Sequence, residues 1–542
     1  MIRFLQFLSK GLWMRLFVLS AIGIGEVLLT LLFVWSSKAL IDVATGDREG
    51  SLLYWSLLLA GQILLQVALR AAEVRLTQLA EVKLGNLMRH RLFSHLLYVE
   101  WHTLSGMQRG DMLTRLIRDT DDLVRLLTSV LPLSLSALLQ LVGAFIFLAL
   151  LDPQLAILLG LLMPFLFLLS RIYYFPMKRY TREVKESESS ITSLIEESLS
   201  NQVLIRTFER QEDELGRLSE LQKGLHGKVD RKSRLSLFAR LVTGLAFQGG
   251  YLAAFIRGAY GVAKDSITFG TLTAFLQLVG RIQRPLFELM RLLPVVITAK
   301  AATERLSSII GSKKEKMEEK ILFERSVSLV ISNLSYSYPG DRKPLIRNLN
   351  LTLAPGSMVA LMGETGVGKT TLVRLILSLI MPEGGTIELT DHEKRVQVSV
   401  ATRANFVYVP QENLLFSGTI RENLLVGDPK ADDADLRRVL EVACASFVFR
   451  LPEELDTVIG ESGFGLSEGE VQRITIARSL LRPGRILLFD EATSALDPDT
   501  EKQFLQKLKR ELNGRSALFV THHPEVAAQC DEFISLSLAP YR

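Results

Sequence analysis

Cysteine is nearly absent: Cys444 and Cys530 are the two in 542 residues, too few and too widely spaced for a disulfide framework or a thiolate metal site. They read as two ordinary free thiols. Charge is missing from long stretches, since residues 50–69, 126–151 and 153–170 contain no Asp, Glu, Lys or Arg. A chain that is 48% hydrophobic with a mean hydropathy of +0.25 is neither disordered nor fibrous, nor one small domain. The hydrophobicity is also uneven. Nearly all long uncharged runs precede residue 300, and the remainder has the short strands and charged helices of a soluble α/β segment.

Crossing a bilayer takes about 20 apolar residues in a helix. The uncharged runs qualify, and so do runs near 16–37, broken only by Glu26, 237–263 and 270–297, which carry a few charges. Six spans are therefore expected at approximately 12–40, 50–72, 126–151, 153–174, 237–263 and 270–297. Buried helices of a soluble core are a weak alternative for 126–170, where two runs meet at Leu151-Asp152-Pro153. Arg3, Lys10 and Arg15 precede the first run, nine Lys or Arg lie between 70 and 125, and 171–240 is more basic still. The opposite loops are short, with one Arg in 42–51, none in 152–154 and one Lys in 264–266. By the positive-inside rule this is a multi-pass protein of the cytoplasmic (inner) membrane, with both termini in the cytoplasm. The long first run, with no small-residue cleavage site after it, reads as a retained span rather than a signal peptide. The net charge of +5 then records topology, and no nucleic-acid partner is expected.

The loops between spans two and three and between four and five are too long for turns. Their pattern, as in 181–223, places apolar residues at intervals of three and four, so the spans are expected to continue into the cytoplasm as helices. Gly311-Ser312-Lys313-Lys314-Glu315-Lys316 opens a mixed-charge linker, which divides the chain into a membrane domain at 1–305, a linker at 306–326 and a nucleotide domain at 327–542. Charge inside spans is costly. Glu26 lies mid-span, and Arg281, Arg284, Glu288 and Arg291 share one helical face, suited either to a polar cavity or to an ion-pair network at a membrane boundary.

Beyond the linker, the apolar run 357–362 enters Gly363-Glu364-Thr365-Gly366-Val367-Gly368-Lys369-Thr370, and the helical run 371–380 follows. A strand before and a helix after are the context a phosphate-binding loop requires. Glycines let backbone N–H groups turn inward around phosphate oxygens, and the helix N-terminus adds partial positive charge. Lys369 is suited to the β and γ phosphates, Thr370 to Mg²⁺, and Thr371 to a further phosphate contact. A second strand, Arg485-Ile486-Leu487-Leu488-Phe489, ends in Asp490-Glu491. The first carboxylate suits Mg²⁺ and the second is placed to polarise an attacking water.

In order and wording these motifs resemble the ATP-binding cassette (ABC) transporters, and the chain resembles a half-transporter of the exporter type. Leu466-Ser467-Glu468-Gly469-Glu470 stands where that family carries its signature, before the second strand. Gly110-Asp111-Met112-Leu113-Thr114-Arg115 with Asp119, and Phe269-Gly270-Thr271-Leu272-Thr273-Ala274-Phe275, resemble stretches of the exporter membrane domain. The expected fold is a membrane protein with an all-α six-helix transmembrane domain and long cytoplasmic helical extensions, fused to an α/β phosphate-loop NTPase domain of the ABC type.

The resemblance implies that adenine stacks on Tyr338, that Gln411 senses Mg²⁺ and the attacking water, and that His522 contacts the γ phosphate. Asp497 couples the two sites of a dimer, while Ser467 and Gly469 meet ATP bound to the opposing subunit. Glu491 and His522 are thus the catalytic pair, and Thr370, Gln411 and Asp490 the Mg²⁺ set. One cassette cannot complete such a site, so a homodimer, or a heterodimer with another half-transporter, is implied. The implied work is ATP-driven export or flipping of an amphipathic or hydrophobic cargo (lipid, drug or peptide) across the bilayer by alternating access. An importer is disfavoured by having both parts on one chain, and six spans exclude a soluble cassette ATPase of DNA repair or translation.

Two departures qualify this. Glu468 and Glu470 replace the usual glycine and glutamine of the signature, bringing negative charge towards a triphosphate. Either turnover is normal, or the composite site is slowed, as in the unequal half of a heterodimer or a low-turnover ATP-gated regulatory protein. Only twenty residues follow His522, so the C-terminal end of the cassette is expected to be short.

Overall fold

The computed structural model describes residues 13–107, 109–316, 318–339, 344–364, 366–412, 415–460 and 465–536. It divides into two compact units, one formed by residues up to Ser94 with Arg109–Gly311, the other by His95–Gln108 with the chain from Ser312 onward.

The first unit is helical. α1 (Trp13–Thr45) and α2 (Leu52–Leu96) are joined by a short turn, and α3 (Trp101–Ser105) is the short helix that belongs with the second unit. α4 (Arg109–Thr114), α5 (Thr120–Arg125) and α6 (Leu131–Leu151) form one run, with the wider π-type turns Arg115–Asp119 and Leu126–Val130 between them. Asp152 then ends α6 and starts α7 (Pro153–Ser200): its extended backbone breaks the helix, and its carboxylate accepts the N–H groups of Gln154 and Leu155 at 3.0 and 3.1 Å. Pro153 sits at the first helical position, where no N–H is needed. α8 (Gln202–Thr207) leads into α9 (Gln211–Ala263), and the Thr268 hydroxyl caps α10 (Phe269–Ile310).

At 1.5 Å per residue, the 53 residues of α9 extend to about 80 Å, far beyond the roughly 30 Å of a bilayer's hydrocarbon. Helical extensions of the spans are therefore built in. Among the described residues, four stretches are long and apolar enough to cross a membrane: Met14–Thr45, Leu52–Leu96, Gly110–Leu151 and Gln211–Ala263. The fourth expected span, 153–174, includes side chains outside the described set, as does the charged face of α10 at Arg291. On that face Arg284 and Glu288 pair at 3.4 Å.

The outer surface of these helices is apolar. Met14 is 76% exposed, Leu64 71% and Leu150 79%, an arrangement suited to lipid rather than water. Inward, Val34, Ala144, Leu148, Phe275 and Leu278 pack into one buried cluster, so α1 and α6 each have a lipid stripe and a core stripe. Polar pairs fix the register inside: the Gln62 amide donates to the Ser36 hydroxyl at 2.9 Å, and Gln277 to Ser37 at 3.0 Å.

The second unit is layered α/β. β1 (Ser328–Tyr336), β2 (Ile346–Leu353), β4 (Gly384–Thr390) and β5 (Arg395–Gln397) form an antiparallel sheet in the order β2-β1-β4-β5, with β3 (Met358–Met362) and α11 (Lys369–Ile376) inserted in the chain before β4. The central sheet is parallel. It contains β3, β6 (Phe406–Val409), β9 (Ile486–Asp490), β10 (Ser516–Val520) and β11 (Glu532–Ser535), ordered β11-β3-β10-β9-β6. Its middle strands are buried along their whole length, as parallel strands covered on both faces must be. Between β6 and β9 lie β7 (Gly418–Thr419), α12 (Ile420–Leu425), α13 (Asp433–Val442), β8 (Val458–Ile459) and α14 (Glu468–Leu480). α15 (Pro498–Glu511) and α16 (Pro524–Gln529) follow β9 and β10.

Candidate nucleotide site

In an open parallel sheet, ligands bind beyond the carboxyl ends of the strands. β10 lies between β3 and β9, with Val520 opposite both Leu361 and Asp490, so these three strands end side by side. The loops leaving them carry Gly363, Glu491 and His522 to one edge.

After β3 the chain reverses into α11 through Gly366 and Gly368, both with left-handed backbones (φ +85° and +102°). Only glycine adopts this without strain, and a Cβ on Gly368 would also press on Leu345 and Ile346. Lys369 is buried, and its ammonium donates to the Gly363 carbonyl at 2.7 Å, bridging the loop. It also lies 3.5 Å from the Glu491 carboxylate. The Thr370 hydroxyl donates to Asp490 Oδ1 at 3.3 Å, and the Tyr408 hydroxyl to Oδ2 at 3.4 Å. Gln411 Nε2 donates to Glu491 Oε2 at 2.9 Å, while His522 Nδ1 stands 3.6 Å from Oε1. One carboxylate thus gathers the lysine, the glutamine and the histidine.

Glu491 itself has a left-handed backbone (φ +48°), held by its N–H donating to the Val520 carbonyl at 2.9 Å. A non-glycine residue in that region is strained, and such strain concentrates at functional positions. Burial pushes the Asp490 carboxyl above its ordinary pKa, with the neighbouring Glu491 carboxylate adding to the effect and the Thr370 hydroxyl opposing it. The Tyr408 phenol is raised as well, by burial first and then by Asp490 beside it.

These residues fit Mg²⁺. A buried, proton-hungry carboxylate next to a threonine hydroxyl is a hard-oxygen pair with unmet demand for positive charge. Mg²⁺ usually takes one or two carboxylates plus substrate phosphates, so no larger cage is required, and among the described residues no cluster of three His, Cys, Asp or Glu has metal-site geometry.

Tyr338 reaches the phosphate-loop helix: its hydroxyl lies 3.1 Å from Thr371 Oγ1 and accepts from Arg374 at 3.2 Å. Thr365 lies outside the described residues, whereas Glu364 and Val367 occupy the loop before α11. Ser467, Gly469 and Asp497 form a separate group. Among the described residues no hydrogen bond or ion pair joins them to the phosphate loop. Ser467 caps α14, and Asp497 caps α15 by accepting from the Thr500 N–H at 3.0 Å. Gln472 ties the two, its side-chain oxygen accepting from the Ala495 N–H at 3.0 Å.

Sequence reasoning missed Tyr408, Arg374 and Gln472. Tyr408 stands three residues before Gln411 on a strand neighbouring Asp490, and Arg374 lies on the phosphate-loop helix. Motif patterns skip both, because each acts through a neighbour.

The match to known families covers both units. Residues 16–286 match the ABC transporter transmembrane region and residues 346–494 the ABC transporter family model. The ATP-dependent lipid A-core flippases of Salmonella typhimurium and Escherichia coli K12 are 27% and 28% identical over 507 residues, covering 92% of this chain and 86% of those proteins. A bacterial Atm1-family ABC exporter solved with ATP bound shares the fold, with a TM-score of 0.80 at 22% identity, covering 98% of this chain and 95% of that one. With a lipid-facing helical unit fused to a phosphate-loop ATPase unit on one polypeptide, the chain belongs to the ABC transporter family, as a half-transporter of the exporter type that couples ATP hydrolysis to transport across a membrane.

Proposed function

We propose that this chain is one half of a dimeric exporter or flippase that moves a lipid or another amphipathic cargo, such as a drug or peptide, out of the inner leaflet. The observation that carries the reading is the gathering of Lys369, Gln411 and His522 around Glu491, one residue past Asp490, on a chain whose other unit exposes apolar helices to lipid. The flippase relatives are named for lipid A-core, which makes a lipid the first candidate. The six helical spans, with both termini and the ATPase unit cytoplasmic, follow from the basic loops.

Each residue has a role in the cycle. Backbone N–H groups of Gly363–Gly368 and the Lys369 ammonium hold the β and γ phosphates, Thr371 adds a contact, and Tyr338 leaves Thr371 to stack on adenine. Thr370, Asp490 and Gln411 would hold Mg²⁺, which supplies charge neutralisation at the phosphates when bound. Glu491 accepts a proton from the attacking water, Gln411 orients that water, and His522 donates to the γ phosphate. Ser467 and Gly469 of a second subunit close the site, and Asp497 links the two sites. Closure and release of the ATPase pair then drive the helical unit between its inward-facing and outward-facing states.

Replacing Glu491 by Gln removes the base and keeps the shape, so ATP binding should persist while hydrolysis falls by about 10²-fold or more. Unaltered turnover in that variant would sink the assignment. Purified protein in lipid, assayed for ATPase stimulation by lipids, drugs and peptides, identifies the cargo class.

A second reading concerns the partner. The Glu470 carboxylate accepts both the Ser467 N–H at 2.9 Å and its hydroxyl at 2.8 Å, so the proton the signature serine would offer a phosphate is already directed elsewhere. This favours a slowed composite site and a partner half-transporter with its own signature. A native mass equal to twice this chain, with both sites turning over, would exclude it.

A further inference from the structure

The linker and the short segment 95–108 both belong to the ATPase unit, and they meet there. Val99 pairs with Lys314 in an antiparallel bridge, the Glu100 N–H donates to the Lys313 carbonyl at 3.1 Å, and the Glu315 N–H donates to the Tyr98 carbonyl at 2.8 Å. The end of α2 and the exit from α10 are thus hydrogen-bonded to each other at the point where the chain enters this unit.

One arginine connects that junction to the phosphate loop. Arg403 grips the Glu315 carboxylate with both terminal nitrogens, at 2.9 and 3.0 Å. Its remaining donors face the other way, Nε to the Leu377 carbonyl and Nη2 also to the Ser378 carbonyl, both at 2.9 Å. Those carbonyls end α11, whose N-terminus is the phosphate loop. A cation on carbonyls at one end of a helix and a phosphate at the other is the arrangement a helix dipole favours at both ends. The linker beyond Glu315 is fastened as well: buried Asn405 donates to the Ile321 carbonyl at 2.7 Å and accepts from the Phe323 N–H at 2.9 Å. Glu315, Trp101, Arg374 and Tyr338 also line one cavity of about 720 Å³, so the clamp and the adenine aromatic share a wall.

We propose that Arg403 is a positioning residue that couples nucleotide occupancy to the two helix ends entering the ATPase unit. Movement of α11 on phosphate binding pulls the Leu377 and Ser378 carbonyls, Arg403 follows, and Glu315 carries the shift to the 98–100 backbone. A planar guanidinium with five donors spans two carbonyls and a carboxylate at once, which lysine cannot do. The proposal rests on the phosphate-loop reading.

The test uses the full chain in lipid nanodiscs with ATP and Mg²⁺, followed by hydrogen–deuterium exchange. In the unaltered protein ATP should protect 363–376 and change exchange across 95–108. Glu315→Gln, which leaves Arg403 on α11, should keep the first response and ATP turnover within about twofold, yet reduce the second by roughly fivefold or more. Arg403→Gln should match it, and the double variant should be no worse than either single one, because both act through one contact. An intact 95–108 response in Glu315→Gln, or additive losses in the double variant, overturns the coupling role. Absence of ATP protection at 363–376 in the unaltered protein overturns the nucleotide reading, and the coupling with it.

Discussion

Asp490 is fully buried, and burial is the main force raising its pKa above the ordinary 3.8. The folded state therefore binds that proton more tightly than the unfolded chain does. Stability from this group is present below the ordinary 3.8 and is lost as pH climbs through the raised value. Asp490→Asn should accordingly raise the melting temperature of nucleotide-free protein at pH 7.5 by about 2–4 °C while abolishing Mg²⁺-dependent hydrolysis, as scanning fluorimetry and a phosphate-release assay would read. Glu470→Gln removes a charge from beside the Ser467 hydroxyl, and steady-state ATPase should rise about fivefold; a fall would remove the argument for a slowed site. The pattern of glycines and the strand-end carboxylates displayed Lys369, Thr370, Asp490 and Glu491 in the sequence, because their chemistry demands fixed spacing along the chain. Tyr408 and Gln472 were illegible for the opposite reason: each is defined by a partner 82 or 23 residues away.

Gly368 turns the chain into α11 in a conformation that costs any other residue strain. Gly368→Ala should destabilise the fold by about 1–2 kcal/mol and weaken ATP binding by more than about tenfold, as titration with a fluorescent nucleotide would show. Asp152 makes a comparable local commitment, capping α7 and pairing with Arg257 at 2.9 Å. Helix periodicity revealed the helical extensions of the spans, and the Leu151-Asp152-Pro153 turn was legible as the point where two uncharged runs meet. The π-type turns at Arg115–Asp119 and Leu126–Val130 were not, since an extra residue in one turn leaves no mark on composition. The first of them ends at buried Asp119, which accepts two hydrogen bonds from Arg305, near the end of α10. That pairing over 186 positions lies outside the reach of any local pattern.

Across the whole molecule, the uneven hydropathy exposed the two-part plan, while the assignment of 95–108 to the ATPase unit required the fold. The proposed orientation rests on the basic loops and has a direct check. A cysteine introduced at exposed Asp47 should react with an impermeant maleimide from outside intact cells, whereas one at Val203, which is 80% exposed, should react only after the membrane is opened. The reverse result would invert the proposed topology.

The polypeptide passes between its two units three times, near residues 94, 108 and 311. The ATPase unit is thus joined to the helical unit by three separate stretches of chain rather than one. A fragment stopped before the linker would leave the Val99 and Glu100 backbone without Lys314 and Lys313, and the buried Val99 uncovered. Residues 95–108 are therefore made long before the linker strand they pair with, and this corner of the ATPase unit is completed only after the whole helical unit has been synthesised.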